Sequence, residues 1–403
     1  MSTRHSPSLV KKYINEFTPN SGMATATQEL TAKTTDIITS KTDTQMYYVH
    51  IDMDCFFAAC EIKRKPELAA VPLVIGGLPS QKRGVVSTAN YPARTFGIHS
   101  AQSIAKAHQL CPHATFLETD HYYYQSESAR VMQFMESYFA PYALSFSQAS
   151  IDEAYLAVQY PKSQLPELLE RFQSKLHETL HYTCSVGVGN SYRVAKIASG
   201  HKKPAGVTIV EDVKSFLAPL PIDAISGIGK KSVLHYRGRG IHTVGDLAKL
   251  NPFTVLSYFG EHAITYWKLA RGEYVQSVIS CERDGDKSYS RETTFETDII
   301  SRCQILSELQ ILSKKVYAKL DSHTFKTVTL KVRFSDFATF TKSFTFSQNC
   351  TCLGEIILKV HELFTQFPQK PIRLLGVKLD HLQTSQNMQL LSEFEVGAIQ
   401  YSN

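Results

Sequence analysis

From about position 46 the chain alternates short apolar runs with segments of helical spacing. "MYYVHI" is β-branched and aromatic and reads as a strand, and "CFFAACEIKRKPEL" carries a helical pattern that stops near Pro66. "VPLVIGG" is a short strand closed by glycines; "SARVMQFMESYFA" is helical; "SIDEAYLAV" and "YTCSVGVG" read as strands. "SYRVAKIASG" predicts a helix with Gly200 as its C-cap. This alternation predicts an α+β or α/β core running to about residue 210. Residues 211–280 are mostly helical with Gly-rich turns. Beyond residue 285 the texture changes again. In "TVTLKVRF", Val328, Leu330, Val332 and Phe334 share one face, and Thr327, Thr329, Lys331 and Arg333 the other. That is a half-buried strand with a basic, polar side. "FTKSFTF" and "RLLGVKL" add strands and "ILSELQILSKKVYAKL" an amphipathic helix, which predicts a separate small α+β domain.

Residues 1–45 show no sustained periodicity and hold fifteen Ser or Thr, so a disordered or loosely packed extension is expected there, with a short helix near "LVKKYINEF". At 403 residues the chain is long for one core. Its 43% hydrophobic and 20% charged residues are ordinary for a globular protein. No apolar run reaches the roughly 20 residues of a membrane span, and the N-terminus lacks an apolar secretory core. A cytoplasmic protein without a membrane partner is expected. The eight cysteines form no C-x-x-C pair, which favours reduced thiols over a disulfide frame or a zinc site. The net charge of +6 permits a polyanionic partner without requiring one.

Candidate chemistry gathers at four places. In "HIDMDCFFAACE", Asp52 and Asp54 stand at i and i+2 of a strand, where both carboxylates can share a face; a strand-end turn is the competing reading. Asp152 and Glu153 open the strand "SIDEAYLAV" about a hundred residues later. Two strand-borne acidic clusters in one core suggest carboxylates converging on Mg²⁺, a hard ion that takes few carboxylates and lets phosphates complete its shell. "STANYPARTFGI" places Thr88, Tyr91 and Arg94 together, a hydroxyl, a phenol and a guanidinium suited to triphosphate oxygens, and Lys196 could add a point charge. "ISGIGKKSVLHYRGRGIHT" has the apolar-x-Gly-apolar-Gly pattern of a helix–hairpin–helix. There Gly227 and Gly229, reinforced by Lys230 and Lys231, can offer amides to a DNA phosphate; an ordinary glycine turn is the alternative.

"HIDMDCFFAACE", "GVVSTANYPARTFGI", "SIDEAYL", "SVGVGNSYRVAKIAS", "ISGIGKK" and "LKVRFSDFATFTKS" stand in the order and spacing of Y-family translesion DNA polymerases, and the chain most resembles their DinB branch, bacterial DNA polymerase IV, from residue 46 to about 380. The resemblance implies an α+β multidomain, right-hand architecture. Its parts are a ferredoxin-like palm over 46–54 and 119–210, small fingers over 55–118, and a helix–hairpin–helix thumb over 211–280. A linker over 281–285, a little finger over 286–382 and a tail over 383–403 complete it. It implies error-prone, template-directed DNA synthesis without proofreading, from dNTP and primer–template DNA. Two Mg²⁺ ions, replaceable by Mn²⁺, would lie on Asp52, Asp152, Glu153 and the Met53 carbonyl, with Asp54 not a ligand. It places the incoming nucleotide on Thr88, Tyr91, Arg94 and Lys196, and the ring that excludes a ribose 2′-hydroxyl at Phe57, with Phe56 its packing neighbour. DNA phosphates would meet Gly227, Gly229, Lys230 and Lys231 in the thumb, and Lys331 and Arg333 in the little finger.

The chain departs from the family pattern in its long N-terminal extension, in Tyr236 and Gly238 within the second hairpin helix, and in Gly200. "QLLSEF" resembles a sliding-clamp peptide loosely, through Gln389, Leu390 and Phe394, which makes a clamp an expected partner of a monomeric enzyme. The alternative is a catalytically silent DNA-binding relative, or a UmuC-like polymerase dependent on accessory subunits.

Overall fold

The computed structural model describes residues 43–81, 83–274, 287–321 and 323–384. The first 42 residues of the N-terminal extension, the expected linker 281–285 and the clamp-peptide residues Gln389, Leu390 and Phe394 lie outside the described residues. Strand β1 (Thr44–Met53) leads into helix α1 (Phe56–Arg64), then β2 (Leu73–Gly76), β3 (Val86–Ala89), α2 (Tyr91–Arg94), α3 (Ile104–Leu110) and β4 (Thr115–Glu118). Helix α4 (His121–Phe139), β5 (Ala143–Gln148), β6 (Glu153–Pro161), α5 (Leu165–Leu180), β7 (Cys184–Gly189), α6 (Tyr192–Ser199) and β8 (Val207–Ile209) follow. Short helices occupy 213–270: α7 (Val213–Leu217), α8 (Lys230–Arg237), α9 (Val244–Ala248), α10 (Pro252–Phe259) and α11 (Glu261–Ala270). The C-terminal part holds β9 (Ser288–Ile299), α12 (Arg302–Tyr317), β10 (His323–Phe334), β11 (Thr339–Cys350), α13 (Leu353–Phe364), β12 (Ile372–Asp380) and β13 (Gln383–Thr384). These elements form two compact units, residues 43–56 with 122–274, and residues 57–121 with 287–384.

In the first unit a five-stranded sheet runs in the order β5-β6-β1-β7-β8. β1 is central, so Val49 and Ile51 are fully buried on one face, while His50 and Asp52 point to the other, following the two-residue side-chain period. Antiparallel pairing puts His50 opposite Tyr155 and Gly187, and Asp52 opposite Glu153 and Ser185. Helix α6 packs on β7 and β1 over that second face. It can do so because Gly187 has no side chain: a Cβ there would overlap the Ala195 carbonyl oxygen and the Ser199 nitrogen. β1 starts before Met46, at Thr44. Thr44 already pairs with Pro161, and the Asp43 carboxylate accepts from the Ser163 amide at 3.0 Å. Ladder hydrogen bonds need no apolar side chains, so the polar sequence hid this start.

The helices of 213–270 close over their own core, in which Ile222, Ile225, Ile228, Val244, Leu247 and Val255 are buried. Gly227 has φ +105 and lies against the Tyr266 hydroxyl, where a Cβ would collide. The turn therefore needs glycine on two grounds.

In the second unit β3-β2-β4 form a three-stranded sheet, and β11-β10-β12-β9 a four-stranded path with β13 added to β10. Val328, Leu330, Val332 and Phe334 enter the C-terminal core with Leu309 and Leu312 of α12 and Ile356 and Val360 of α13, as the alternation predicted. Arg83 ties the two segments of this unit together: Nη2 lies 2.7 Å from Asp298 Oδ1, and Nη1 donates to the Phe295 carbonyl at 2.8 Å.

Candidate active site

β1 ends at Met53, and Cys55 turns the chain with φ +48, so Asp52 is the last strand residue able to look across at β6. The Met53 amide donates to the Asp152 carbonyl at 3.0 Å, which holds Asp152 and Glu153 beside the end of β1. Asp52 and Glu153 thus face each other across the ladder; β6 starts at Glu153, and Asp152 lies in the preceding bend. Lys203 Nζ lies 2.5 Å from Asp52 Oδ1, Lys196 Nζ lies 2.5 Å from Glu153 Oε1, and Ser150 Oγ donates to Asp152 Oδ1 at 2.6 Å. Like charges this close repel unless a cation separates them. As they stand, tethered ammonium groups do that, and among the described residues no three ligating side chains close on one point.

Burial pushes the Asp52 carboxyl up to about 6 despite the Lys203 ammonium, with Glu153 and Asp152 adding to the rise. Burial also acts upward on Glu153, but the Lys196 hydrogen bond and charge together bring it below the usual carboxylate value. Burial, then the Lys196 charge, lowers His50 to about 3, so its ring is neutral. Asp54 is turned away from this cluster. Its Oδ1 accepts from Ser185 Oγ at 2.8 Å and its Oδ2 from the Ala205 amide at 2.8 Å, so it fastens β7 and the loop after α6 to the end of β1.

Thr88, Tyr91 and Arg94 lie in the other unit, at the end of β3 and on α2. Asn90 sets that turn: its Oδ1 accepts from the Leu73 and Ala93 amides at 2.9 and 3.0 Å, and its Nδ2 donates to the Val71 carbonyl at 2.8 Å. Arg94 Nε donates to the Ala89 carbonyl at 2.9 Å while its guanidinium lies 5.2 Å from the Tyr91 ring centre. The phenol and guanidinium are thereby held side by side. Phe56 is buried against Tyr182, with ring centres 5.8 Å apart. Phe57 is only partly buried and meets the His121 ring edge-on at 6.0 Å.

Residues 51–200 match the model of the impB/mucB/samB family, and residues 286–391 match the model of that family's C-terminal domain. The chain is 37% identical over 355 residues to DNA polymerase IV 2 of Methanosarcina mazei, covering 85% of this chain and 94% of that protein. It is 40% identical over 344 residues to DNA polymerase IV of Methanoculleus marisnigri, covering 83% and 94%. This chain belongs to the Y-family DNA polymerases. Among solved structures it is similar to a Y-family DNA polymerase chimera, with 26% identity, a TM-score of 0.73, and 84% of this chain and all of that chain covered. It is also similar to an insertion ternary complex of Dbh DNA polymerase, at 26% identity, the same coverage and a TM-score of 0.58. Y-family polymerases depend on divalent metal ions, and the α+β fold class and DinB-branch resemblance read from the motifs are borne out.

The remaining Y-family motif positions are widely spaced. Gly229 caps α8, and Lys230 and Lys231 are exposed in its first turn. Gly238 caps the same helix at its other end, and Tyr236 is buried and stacked on Phe259 at 4.1 Å, so the unusual "HYRGRG" ends the helix rather than loosening it. Lys331 and Arg333 lie on the partly exposed face of β10; Lys331 Nζ is 2.7 Å from Glu292 Oε2, and Arg333 Nε donates to Thr339 Oγ1 at 2.8 Å. Sequence reasoning missed Lys203, Ser150, His50 and Asn90. The lysine is 151 residues from Asp52 and lies in a loop, where no periodicity marks it. Among the described residues no helix is long and apolar enough to cross a membrane.

Proposed function

We propose that Asp52, Asp152 and Glu153 are the catalytic carboxylates of this chain, and that they serve transfer of dNMP from dNTP to a primer 3′-hydroxyl. The chain is a DNA-directed DNA polymerase of the translesion class. The observation that carries the residue assignment is the pairing of Asp52 with Glu153 across the β1–β6 ladder, a lysine on each, with Asp152 in the bend just before β6.

The donor set fits Mg²⁺: all three side chains offer hard oxygen, and burial raises the Asp52 carboxyl against the Lys203 ammonium that holds it, with Glu153 and Asp152 adding to the rise. Asp52, Asp152, Glu153 and the Met53 carbonyl would hold two such ions, and Mn²⁺ would substitute. When bound, the ions supply Lewis-acid stabilisation of the attacking oxygen and of the departing pyrophosphate. The protein's own part is orientation. Asp52 and Glu153 would hold the cations in place of Lys203 and Lys196; Thr88, Tyr91, Arg94 and Lys196 are the proposed ligands of the triphosphate. Phe57 fills the space a ribose 2′-hydroxyl would need.

Primer–template DNA is gripped through phosphates. Backbone amides at Gly227 and Gly229 with Lys230 and Lys231, and Lys331 and Arg333 on the C-terminal sheet, hold it without reading sequence. In this reading residues 46–54 and 119–210 are the palm, 55–118 the fingers, 211–280 the thumb and 286–382 the little finger of a cytoplasmic monomer. A sliding clamp is the proposed partner of Gln389, Leu390 and Phe394. The test is extension of a primed template by the purified chain with Mg²⁺ and four dNTPs. Template-dependent extension is expected, and its absence would overturn the reading.

A further inference from the structure

His50 stands two residues before Asp52 on the same face of β1, fully buried beneath α6, with the Tyr155 ring centre 4.6 Å away. Its two ring nitrogens are in different situations. Nδ1 lies 2.7 Å from Ser199 Oγ, and that hydroxyl donates to the Lys196 carbonyl at 2.9 Å. A hydroxyl has one proton. Both contacts are met at once when that proton goes to the carbonyl and Nδ1–H donates to Ser199 Oγ, the tautomer that leaves Nε2 a lone pair. That lone pair is buried with no hydrogen-bond partner, and it lies 3.7 Å from Glu153 Oε1. The same oxygen receives Lys196 Nζ.

A buried acceptor facing a carboxylate oxygen is unfavourable by itself. The Lys196 ammonium on that same oxygen has three N–H groups, so on leaving Glu153 it has one to offer this acceptor. The ring cannot turn away easily, because Ser199 holds one side and the seating of α6 on Gly187 fixes where Ser199 stands.

We propose that His50 is a positioning residue whose Nε2 takes one N–H of the Lys196 ammonium when Lys196 leaves Glu153, so that the lysine is not stranded and keeps its other N–H groups for the triphosphate. This rests on the reading of Glu153 as a metal ligand, since only then must Glu153 give up its lysine. His50 touches neither nucleotide nor metal; it sets how readily the Glu153 carboxylate becomes available. Its loss therefore acts on the divalent concentration needed more than on turnover once metal is saturating.

The test compares His50→Asn, which keeps a donor toward Ser199 but has no acceptor at the Nε2 position, with His50→Gln, whose amide oxygen can reach that position. Mn²⁺ binding in the presence of primed DNA, read by electron paramagnetic resonance, should weaken about tenfold in His50→Asn, a change of about 1.4 kcal/mol. His50→Gln should recover most of it. Ring ¹⁵N spectra of the metal-free wild-type protein should show Nε2 unprotonated. A protonated Nε2 would overturn the proposal. So would Mn²⁺ affinity unchanged in His50→Asn, or loss of stability in both variants without a difference in Mn²⁺ affinity. Glu153→Gln separates the two levels. Normal Mn²⁺ binding in Glu153→Gln would overturn the ligand reading and the proposal with it, whereas impaired binding there with unchanged His50→Asn overturns the proposal alone.

Discussion

Gly187 and Ser199 touch through backbone alone: the helix turn carrying Ser199 rests on the strand at a residue with no side chain. That contact sets the height of α6 above the sheet, and with it the positions of Lys196 and Ser199. Gly187→Ala should therefore cost about 1–3 kcal/mol, the usual range for overpacking a tight interior. Urea denaturation measures it. An unchanged midpoint would show that the helix does not sit there.

Asp152→Ala should reduce primer extension roughly 10³-fold, in the range found for losing one transition-state-stabilising group. DNA affinity should stay within about twofold, because phosphate contacts elsewhere carry it. Single-turnover extension and a gel-shift titration measure the two. Retained extension would remove Asp152 from the site.

Phe57→Ala should raise ribonucleotide incorporation by roughly tenfold or more, since a pocket wall that rejects one hydroxyl by contact is worth that much. The ratio of single-nucleotide insertion for ribo- and deoxynucleotides is the measurement. Phe56, buried against Tyr182, should instead affect folding when truncated.

Asp52 carries a pH signature in the metal-free protein. Its carboxyl stands at about 6 in the fold against an ordinary 3.8, so between those values the folded state binds more protons than the unfolded chain. Stability contributed by this group is present below about pH 4 and is lost as pH rises through 6. Asp52→Asn should accordingly raise the melting temperature above pH 7 by about 2–4 °C, with the gain vanishing near pH 4. Calorimetry in the presence of a chelator at both pH values gives the comparison. A gain equal at both would mean that ionisation of Asp52 is not the cause.

Arg83→Ala removes an ion pair to Asp298 and a donor to Phe295 that are both partly buried. Residues 287–384 should then become more accessible to limited proteolysis, while the first unit keeps its resistance. Equal digestion of wild type and variant would count against a joining role for Arg83.

What the sequence disclosed followed burial. Val328, Leu330, Val332 and Phe334 alternate because one face of β10 is covered, and "CSVGVG" holds only small or apolar residues because β7 is buried on both faces. β9 escaped notice for the opposite reason: "SYSRETTFETDI" is an edge strand in which only Ile299 is buried, so its sequence is polar. At the site, Asp52, Asp152 and Glu153 could be paired through motif order. Strand periodicity alone would have added Asp54, and did not foresee that the strand stops at Met53 and sends Asp54 to Ser185. Lys203 was illegible because the loop that brings it to Asp52 has no pattern of its own.

The two lysines on the carboxylates make the resting site behave as an ion exchanger with its counter-ions on tethers. A tethered counter-ion never dilutes away, so a competitor must win on charge density rather than on abundance. Potassium, however plentiful, brings no more charge than the lysine it would displace and gains little by the swap. Only a cation of higher charge has something to gain.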